Sequence, residues 1–479
     1  MPDLRDVMSV VAPQETLRPP ISPLEFASVS TDSRSLQPGA LFFALSGPNF
    51  DGAVFVRAAA EKGAVAAVVD RPIPEGPDPS IPILRVGNTL NALTQWAIHW
   101  RGRWPGRMTA VCGSNGKTTV KQMVSTIFAE HYGSASAWAT PGNLNNHIGV
   151  PLSVLGLTSA HRVAVLELGM NHPNEIEALS RIAQPHVAVV TNAQREHQEF
   201  MKSVEAVAHE NGNVFTVLPA DGWAVFPRDP MHEPIWMAQA SGRSQIRFGF
   251  ADAPAFAGYR GHEVLGRWSD TSSGLGPRLV ASLPDGSEIE LSLQGVGEHF
   301  AANALAAVAC AWANGIPAES VTVALNRFLP VQGRGQRCTL AGGGLLIDDT
   351  YNANPDSVRA AIDALQRLPR PHGLVLGDMG EVGDREADVH QEVLRYAQIH
   401  AVDGLWLHGQ AFESACRATG IGQSVSEVSD LIQRVREWSR HAQAQAALPS
   451  VWVKGSRFMA MERVVHGLVA NGSEVQECC

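Results

Sequence analysis

Seven consecutive residues, Gly113-Ser114-Asn115-Gly116-Lys117-Thr118-Thr119, have the composition of a phosphate cradle. Glycines let backbone N–H groups turn toward an anion, and Lys117 adds a full positive charge. The hydroxyl of Thr118, directly after the lysine, stands where a magnesium ligand is wanted. The usual P-loop has four residues between its first glycine and the Gly-Lys pair; here only Ser114 and Asn115 intervene. The doubled threonine fits a nucleotide triphosphate with its metal, so the chemistry expected is binding of ATP and Mg2+.

Other polar residues close apolar runs. Glu167 ends Arg162-Val163-Ala164-Val165-Leu166 and is a candidate second metal ligand, with His197 shortly after the next such run. Asp348-Asp349-Thr350-Tyr351-Asn352-Ala353-Asn354-Pro355 is too polar for packing, and Lys454-Gly455-Ser456-Arg457 is placed for anion binding. In Asp32-Ser33-Arg34, the arginine fork suits bidentate contact with phosphate. Asn303, near the start of an alanine-rich helix, is a cap or an adenine contact.

The elements that must position these residues are alternating strands and helices. A β-type run, Met108 to Cys112, leads into the cradle. Val120, Met123, Val124, Ile127 and Phe128 then follow at the spacing of one apolar helix face. In open α/β sheets ligands gather beyond the carboxyl ends of strands, which is where Glu167 and the Asp348 run fall. The segment Ser203 to Leu218 reads as a helix with Asn211 on its buried stripe. From about 245 to 295 the pattern turns antiparallel, with Pro284-Asp285-Gly286 as a hairpin turn. Strands at 345–348, 373–377, 404–408 and 451–454 alternate with helices in a second doubly wound unit. The basic stretch from Arg101 to Arg107 and the break at Leu329 to Gly335 divide the chain into 1–105, 106–330 and 331–479. The fold class expected is α/β in three domains: a small α/β substrate domain, a central P-loop-like domain with a mostly parallel sheet plus an antiparallel portion, and a C-terminal Rossmann-like domain.

Composition bounds the rest. A chain of 479 residues, 45% hydrophobic and 18% charged, can bury several cores. Its 47 acidic against 37 basic side chains argue against broad nucleic-acid binding. No run reaches the roughly 18 to 20 apolar residues of a spanning helix, and the N-terminus lacks a secretory pattern. Six scattered cysteines without a C-x-x-C unit point to reduced thiols, so a cytoplasmic protein is expected.

Together these motifs resemble the Mur ligase family along nearly the whole chain. Asp32-Ser33-Arg34, Thr140-Pro141-Gly142-Asn143-Leu144-Asn145-Asn146, Glu167, His197, Asn303 and Arg334 match family positions, and the short loop spacing is the family's own. Asp348 to Pro355, Gly377-Asp378-Met379-Gly380-Glu381 and Lys454 to Arg457 point to the branch that adds D-alanyl-D-alanine to UDP-N-acetylmuramoyl-tripeptide. The resemblance implies that Ser33 and Arg34 hold the UDP end, with Asn143 and Asn146 also on substrate. It implies ATP in the loop, with Lys117 on the β- and γ-phosphates, and catalysis by Lys117, Glu167 and His197. Magnesium would be held by Thr118, Glu167 and His197. Asn303, Arg334 and Asp349 would contact adenosine. Tyr351, Asn352, Asn354, Lys454, Ser456 and Arg457 would shape the peptide and dipeptide site. A monomer with small-molecule partners and no membrane insertion is expected.

One position departs from the family pattern. Many relatives carry a carbamylated lysine where this chain has Asn211, and a neutral amide cannot supply the carbamate's charge. The second magnesium site either lacks that charge or is completed by another group. Two rivals stay open: another ATP-dependent ligase such as a folylpolyglutamate synthetase, and a module that hydrolyses ATP without forming an amide. The third residue of the tripeptide, diaminopimelate or lysine, is also open.

Overall fold

The computed structural model describes residues 3–20, 22–48, 50–196, 198–270 and 276–469. The chain divides into two compact units, one of residues 1–110, 135–169 and 177–185, the other of 111–134, 170–176 and 186–479.

In the first unit a five-stranded sheet runs in the order Glu15–Leu17, Ile83–Arg85, Ala66–Val69, Ala40–Phe43, Ser28–Ser30. Only the Glu15–Leu17 edge is antiparallel; the other pairings are parallel. Ala40–Phe43 and Ala66–Val69 are buried at every position, as continuous apolar strands covered on both faces must be. On one face Leu41, Phe43, Val68 and Leu84 pack with Leu4, Val7 and Trp96 of the helices Leu4–Val11 and Thr89–Arg103. On the other, Phe42, Ala67 and Val69 pack with Val56 and Ala59. The same unit holds the parallel pair Ala137–Ala139 and Val163–Glu167 and the helix Gly149–Leu155.

The second unit begins at the end of the strand Arg107–Cys112, where Thr191 N donates to Cys112 O at 2.9 Å. Val187–Val190, Trp223–Pro227, Ser244–Phe250 and His262–Asp270 are successively parallel. Antiparallel pairing starts only with Pro277–Ser282 and continues to Glu288–Ser292. The expected antiparallel stretch from about 245 is therefore corrected: Ser244–Phe250 is parallel to both neighbours. The residues between Phe250 and His262 cross over rather than turn back, whereas Pro284-Asp285-Gly286 does form the tight turn, closed by Gly286 N to Leu283 O at 2.9 Å. The helix expected from Ser203 to Leu218 is α-helical over Val204–Gly212 and tightens into the 3-10 turn Asn213–Val217.

Beyond it, a six-stranded sheet has the order Gln336–Thr339, Leu345–Asp349, Ser450–Lys454, His372–Gly377, Gly404–His408, Gln423–Ser424, parallel except at its first pair. Its strands match the expected doubly wound pattern, and its core places Ile347, Leu374, Leu376 and Trp452 against Val358, Ile362, Val393 and Phe412. Cys112, Cys310 and Cys416 are free thiols, but Cys338 is disulfide-bonded, against the expectation of reduced thiols throughout. Among the described residues no helix is long and apolar enough to cross a membrane.

Candidate active site

The phosphate loop is built where its strand ends and the helix Lys117–Tyr132 begins. Gly113 has φ +122° and Gly116 φ +83°, backbone settings that favour glycine. A methyl group on Gly113 would strike Thr191, and one on Gly116 would strike the Asn303 carboxamide. Gly116 is also the helix N-cap and brings no side chain to the first turn. The amides of that turn and the helix dipole are thus directed at an anion instead of a cap.

The segment 191–196 forms the other wall. Ser114 N donates to Asn192 O at 3.1 Å, and Asn115 N donates to Asn192 Oδ1 at 2.9 Å. Asn115 O accepts from Thr191 Oγ1 at 2.7 Å and from Asn192 Nδ2 at 3.0 Å. Gln194 N donates to Ser114 Oγ at 2.9 Å, and Asn115 Nδ2 donates to Gln194 Oε1 at 2.6 Å. Asn211 supports the loop from below: its Oδ1 accepts from Gly113 N at 2.8 Å, and its Nδ2 donates to Val207 O at 3.1 Å. The buried stripe placed this amide correctly, and these bonds satisfy it. Burial pushes the neighbouring Cys112 thiol up, so it is inert.

Lys117 Nζ donates to the carbonyls of Gly113 at 2.5 Å and Ser114 at 3.0 Å, and lies 3.3 Å from Glu196 Oε2. Its side chain keeps 17% of its surface exposed. The loop therefore fits a triphosphate: a glycine cradle, an uncapped helix start and one accessible cation.

The second wall also docks the C-terminal sheet. Asn354 Nδ2 donates to Asn115 Oδ1 at 3.0 Å, while Asn354 Oδ1 accepts from Ser357 N at 2.8 Å as the cap of the helix Pro355–Leu365. Arg195 N donates to Asp356 Oδ2 at 2.8 Å, and its guanidinium binds Asp356 Oδ1 and both Glu392 oxygens at 2.6–2.9 Å. Hydrogen bonds to Glu392 and Asp356 raise the arginine's pKa, fixing its charge.

The Asp348 to Pro355 run and the Lys454 tetrad meet at adjacent strand ends. Lys454 Nζ donates to Asp349 Oδ2 at 2.7 Å and to Asn352 O at 2.9 Å, and Trp452 Nε1 donates to Asp349 Oδ2 at 3.2 Å. Ser456 Oγ accepts from Gly380 N at 2.8 Å and donates to Ala353 O at 3.2 Å. Asp378 takes the amides of Ala411 and Phe412, and Met379 N donates to His390 Nε2 at 3.0 Å. The Arg334 guanidinium lies 3.9 Å from the Tyr351 ring centroid, and Tyr351 N donates to Gly333 O at 3.0 Å. Arg457 pairs with Glu462 at 2.8 Å and is otherwise exposed.

In the first unit, Arg34 Nη2 donates to Asp32 Oδ2 at 2.8 Å while the arginine side chain stays 88% exposed and Ser33 is buried. The Arg34 hydrogen bonds hold the Asp32 carboxyl at about 2. Asn145 Nδ2 donates to Glu167 Oε1 at 2.9 Å, and Glu167 N donates to Thr140 Oγ1 at 2.9 Å. Asn146 Oδ1 accepts from Gly149 N at 2.9 Å, and Asn143 is exposed.

Three family models match in succession. "Mur ligase family, catalytic domain" covers 25–101, "Mur ligase middle domain" 111–311 and "Mur ligase, glutamate ligase domain" 333–457. The UDP-N-acetylmuramoyl-tripeptide–D-alanyl-D-alanine ligase of Escherichia coli is 34% identical over 446 residues, 93% of this chain and 94% of that protein. The chain belongs to the Mur ligase family. The Bacillus subtilis ligase of the same name is 33% identical over 92% of this chain and 93% of its own length. Among solved structures, MurF from Acinetobacter baumannii superposes with a TM-score of 0.85 at 29% identity, covering 96% of this chain and 97% of that one. This Mur ligase has the three-domain α/β architecture its motifs imply.

Magnesium can be tested on the donor set alone. Among the described residues no group of three or more His, Cys, Asp and Glu converges as a metal cage. Mg2+ takes few protein ligands and keeps phosphate oxygens and water, so hydroxyl and carboxylate donors such as Thr118 and Glu167 fit it. His197 lies outside the described residues. Reading from sequence missed Asn192, Gln194, Arg195, Glu196, Asp356 and Glu392. The available signal was position, since 191–196 directly follows the carboxyl end of Val187–Val190.

Proposed function

We infer that this chain adds D-alanyl-D-alanine to UDP-N-acetylmuramoyl-tripeptide, cleaving ATP to ADP and phosphate and completing a cytoplasmic peptidoglycan precursor. The reading is carried by full-length agreement with ligases of that substrate pair. The phosphate loop and the Asn354 helix start, held in contact, give that agreement a chemical basis. We assign 1–105 to the UDP substrate, 106–330 to ATP and 331–479 to the incoming dipeptide, in a monomer.

A free carboxylate is a poor electrophile, because its leaving group would be oxide. The tripeptide carboxylate oxygen bonds to the γ-phosphorus of ATP, and the bond from that phosphorus to the ADP oxygen breaks. The amine of D-alanyl-D-alanine then bonds to the carbonyl carbon, loses a proton and expels phosphate. Lys117 and the amides of the first helical turn stabilise the charge on the transferring phosphoryl group. Thr118, Glu167 and His197 are the residues that would hold magnesium, which when bound would offset the negative charge of the phosphates. Ser33 and Arg34 take the UDP end, with Asn143 and Asn146 beside the substrate path. Asn303, Arg334 and Asp349 face adenosine. Tyr351, Asn352, Ser456 and Arg457 shape the dipeptide site, while Asn354 and Lys454 fix the strand ends that carry it. Docking through Arg195 and Asn354 brings the reactants in line and keeps water from the mixed anhydride.

The test is coupled phosphate release from the purified chain. Release that requires both muramyl tripeptide and D-alanyl-D-alanine is the expected result, with tripeptides ending in diaminopimelate and in lysine compared. Release without either co-substrate identifies an ATP hydrolase, and turnover of a folate substrate identifies the other ligase class.

A further inference from the structure

A buried carboxylate on the wall facing the phosphate loop has no part in the mechanism above. Glu196 is 6% exposed; its Oε2 lies 3.3 Å from Lys117 Nζ, and its Oε1 accepts from Asn211 Nδ2 at 3.4 Å. Asn211, 1% exposed, is anchored in turn by Gly113 N and Val207 O, so the carboxylate is oriented by a fixed amide. Glu196 follows Arg195, whose clamp on Asp356 and Glu392 fixes that stretch of backbone. A carboxylate that close to the loop lysine repels the phosphate this lysine must meet.

We propose that Glu196 is the built-in counter-charge of the phosphate loop, a positioning residue that holds Lys117 while the loop is empty and that the γ-phosphate displaces. The empty loop then avoids an unpaired, half-buried ammonium, and Lys117 waits folded back on the carbonyls of Gly113 and Ser114. Arrival of a triphosphate exchanges one anion for another at Lys117 Nζ. The carboxylate left behind is a fixed negative charge next to the neutral Asn211.

The inference rests on the loop being the triphosphate site. Binding of the β,γ-methylene analogue of ATP to the wild-type chain tests that reading separately. Titration calorimetry in EDTA is then run on wild type, Glu196→Gln and Glu196→Asp, with the methylene analogue and with AMP, which has no γ-phosphate. Glu196→Gln is expected to bind the analogue about fivefold more tightly, the scale of a partly exposed ion pair, and AMP unchanged. Glu196→Asp, with the charge drawn back by one methylene, shifts in the same direction by less and serves if the glutamine variant does not fold. Unchanged or weaker analogue binding overturns the proposal, as does an equal change for AMP, which marks a structural effect alone.

Discussion

Two lysines of the second unit, Lys117 at the start of a helix and Lys454 at the end of a strand, have opposite fates. Lys454 is 5% exposed and locked at 2.7 Å onto Asp349, with Asn352 O as a further partner. Lys117 is 17% exposed and rests on two carbonyls and a more distant carboxylate. Both come after an apolar run and sit among glycines and hydroxyls, so the sequence treats them alike. The difference lies in what the neighbouring strand supplies. Next to Lys454, Asp349 sits directly opposite in register, and the pair closes within the sheet. Next to Lys117 the wall comes from a loop of amides, which orders the glycines and leaves the cation replaceable. One lysine maintains the fold, and the other is available to a ligand.

The strongest way to break this comparison is to remove each ammonium. Lys117→Ala should lower ligation by about 10³ in a chain that still folds, since transition-state charge stabilisation is lost, and losing the ammonium 3.3 Å from Glu196 lowers the melting temperature as well. Near-normal phosphate release would remove the loop from the mechanism. Lys454→Ala should do the reverse first. Leaving Asp349 unpaired in a mostly buried site costs about 3–5 kcal/mol, seen as a lower denaturation midpoint before any effect on nucleotide binding. A Lys454→Ala protein as stable as wild type would mean that this lysine also serves a ligand.

Arg195 tests the wall between them. Arg195→Ala removes the guanidinium clamp on Asp356 and Glu392 and leaves only the backbone bond from residue 195 to Asp356, and a misplacement of about 1 Å at the reacting groups lowers kcat up to about 100-fold. The KM for ATP should move less than kcat, because the loop's own bonds to Asn192 and Gln194 remain. An equal loss in binding of the methylene analogue would place Arg195 in the nucleotide site itself.

The smallest effect concerns Asp32, the partner of the exposed Arg34. Its carboxyl is depressed to about 2, so the pair is intact above the ordinary carboxylate range and is lost only as pH falls through about 2. Carboxyl NMR titration should find that midpoint, and Arg34→Ala should return it toward 3.8. If UDP binds there, the nucleotide should compete with Asp32 for Arg34 and raise the Asp32 midpoint in the same titration.

Much of this molecule was readable in advance because its signals are local. A glycine loop between a strand and a helix is fixed by φ and by periodicity, and the strands from Leu345 to Lys454 follow from unbroken apolar runs. The parallel setting of Ser244–Phe250 was not readable, because pairing direction depends on whether residues 251–261 turn or cross over, and they contain no tight-turn signature. Asn211 was legible as a buried amide needing partners. That two of those partners are Gly113 N and Glu196 was not, since they come from other stretches of chain, whereas Val207 O lies one turn back on the same helix.

The sequence by itself determined the phosphate loop, the domain order and the family, because each depends on residues adjacent in the chain or on patterns that persist along it. Tertiary structure alone decided which lysine is free to meet an anion and that Glu196 faces it. It also decided that Arg195 and Asn354 bind the loop to the C-terminal sheet. Those outcomes depend on electrostatic partners brought together across dozens to hundreds of residues, and no local pattern encodes that proximity.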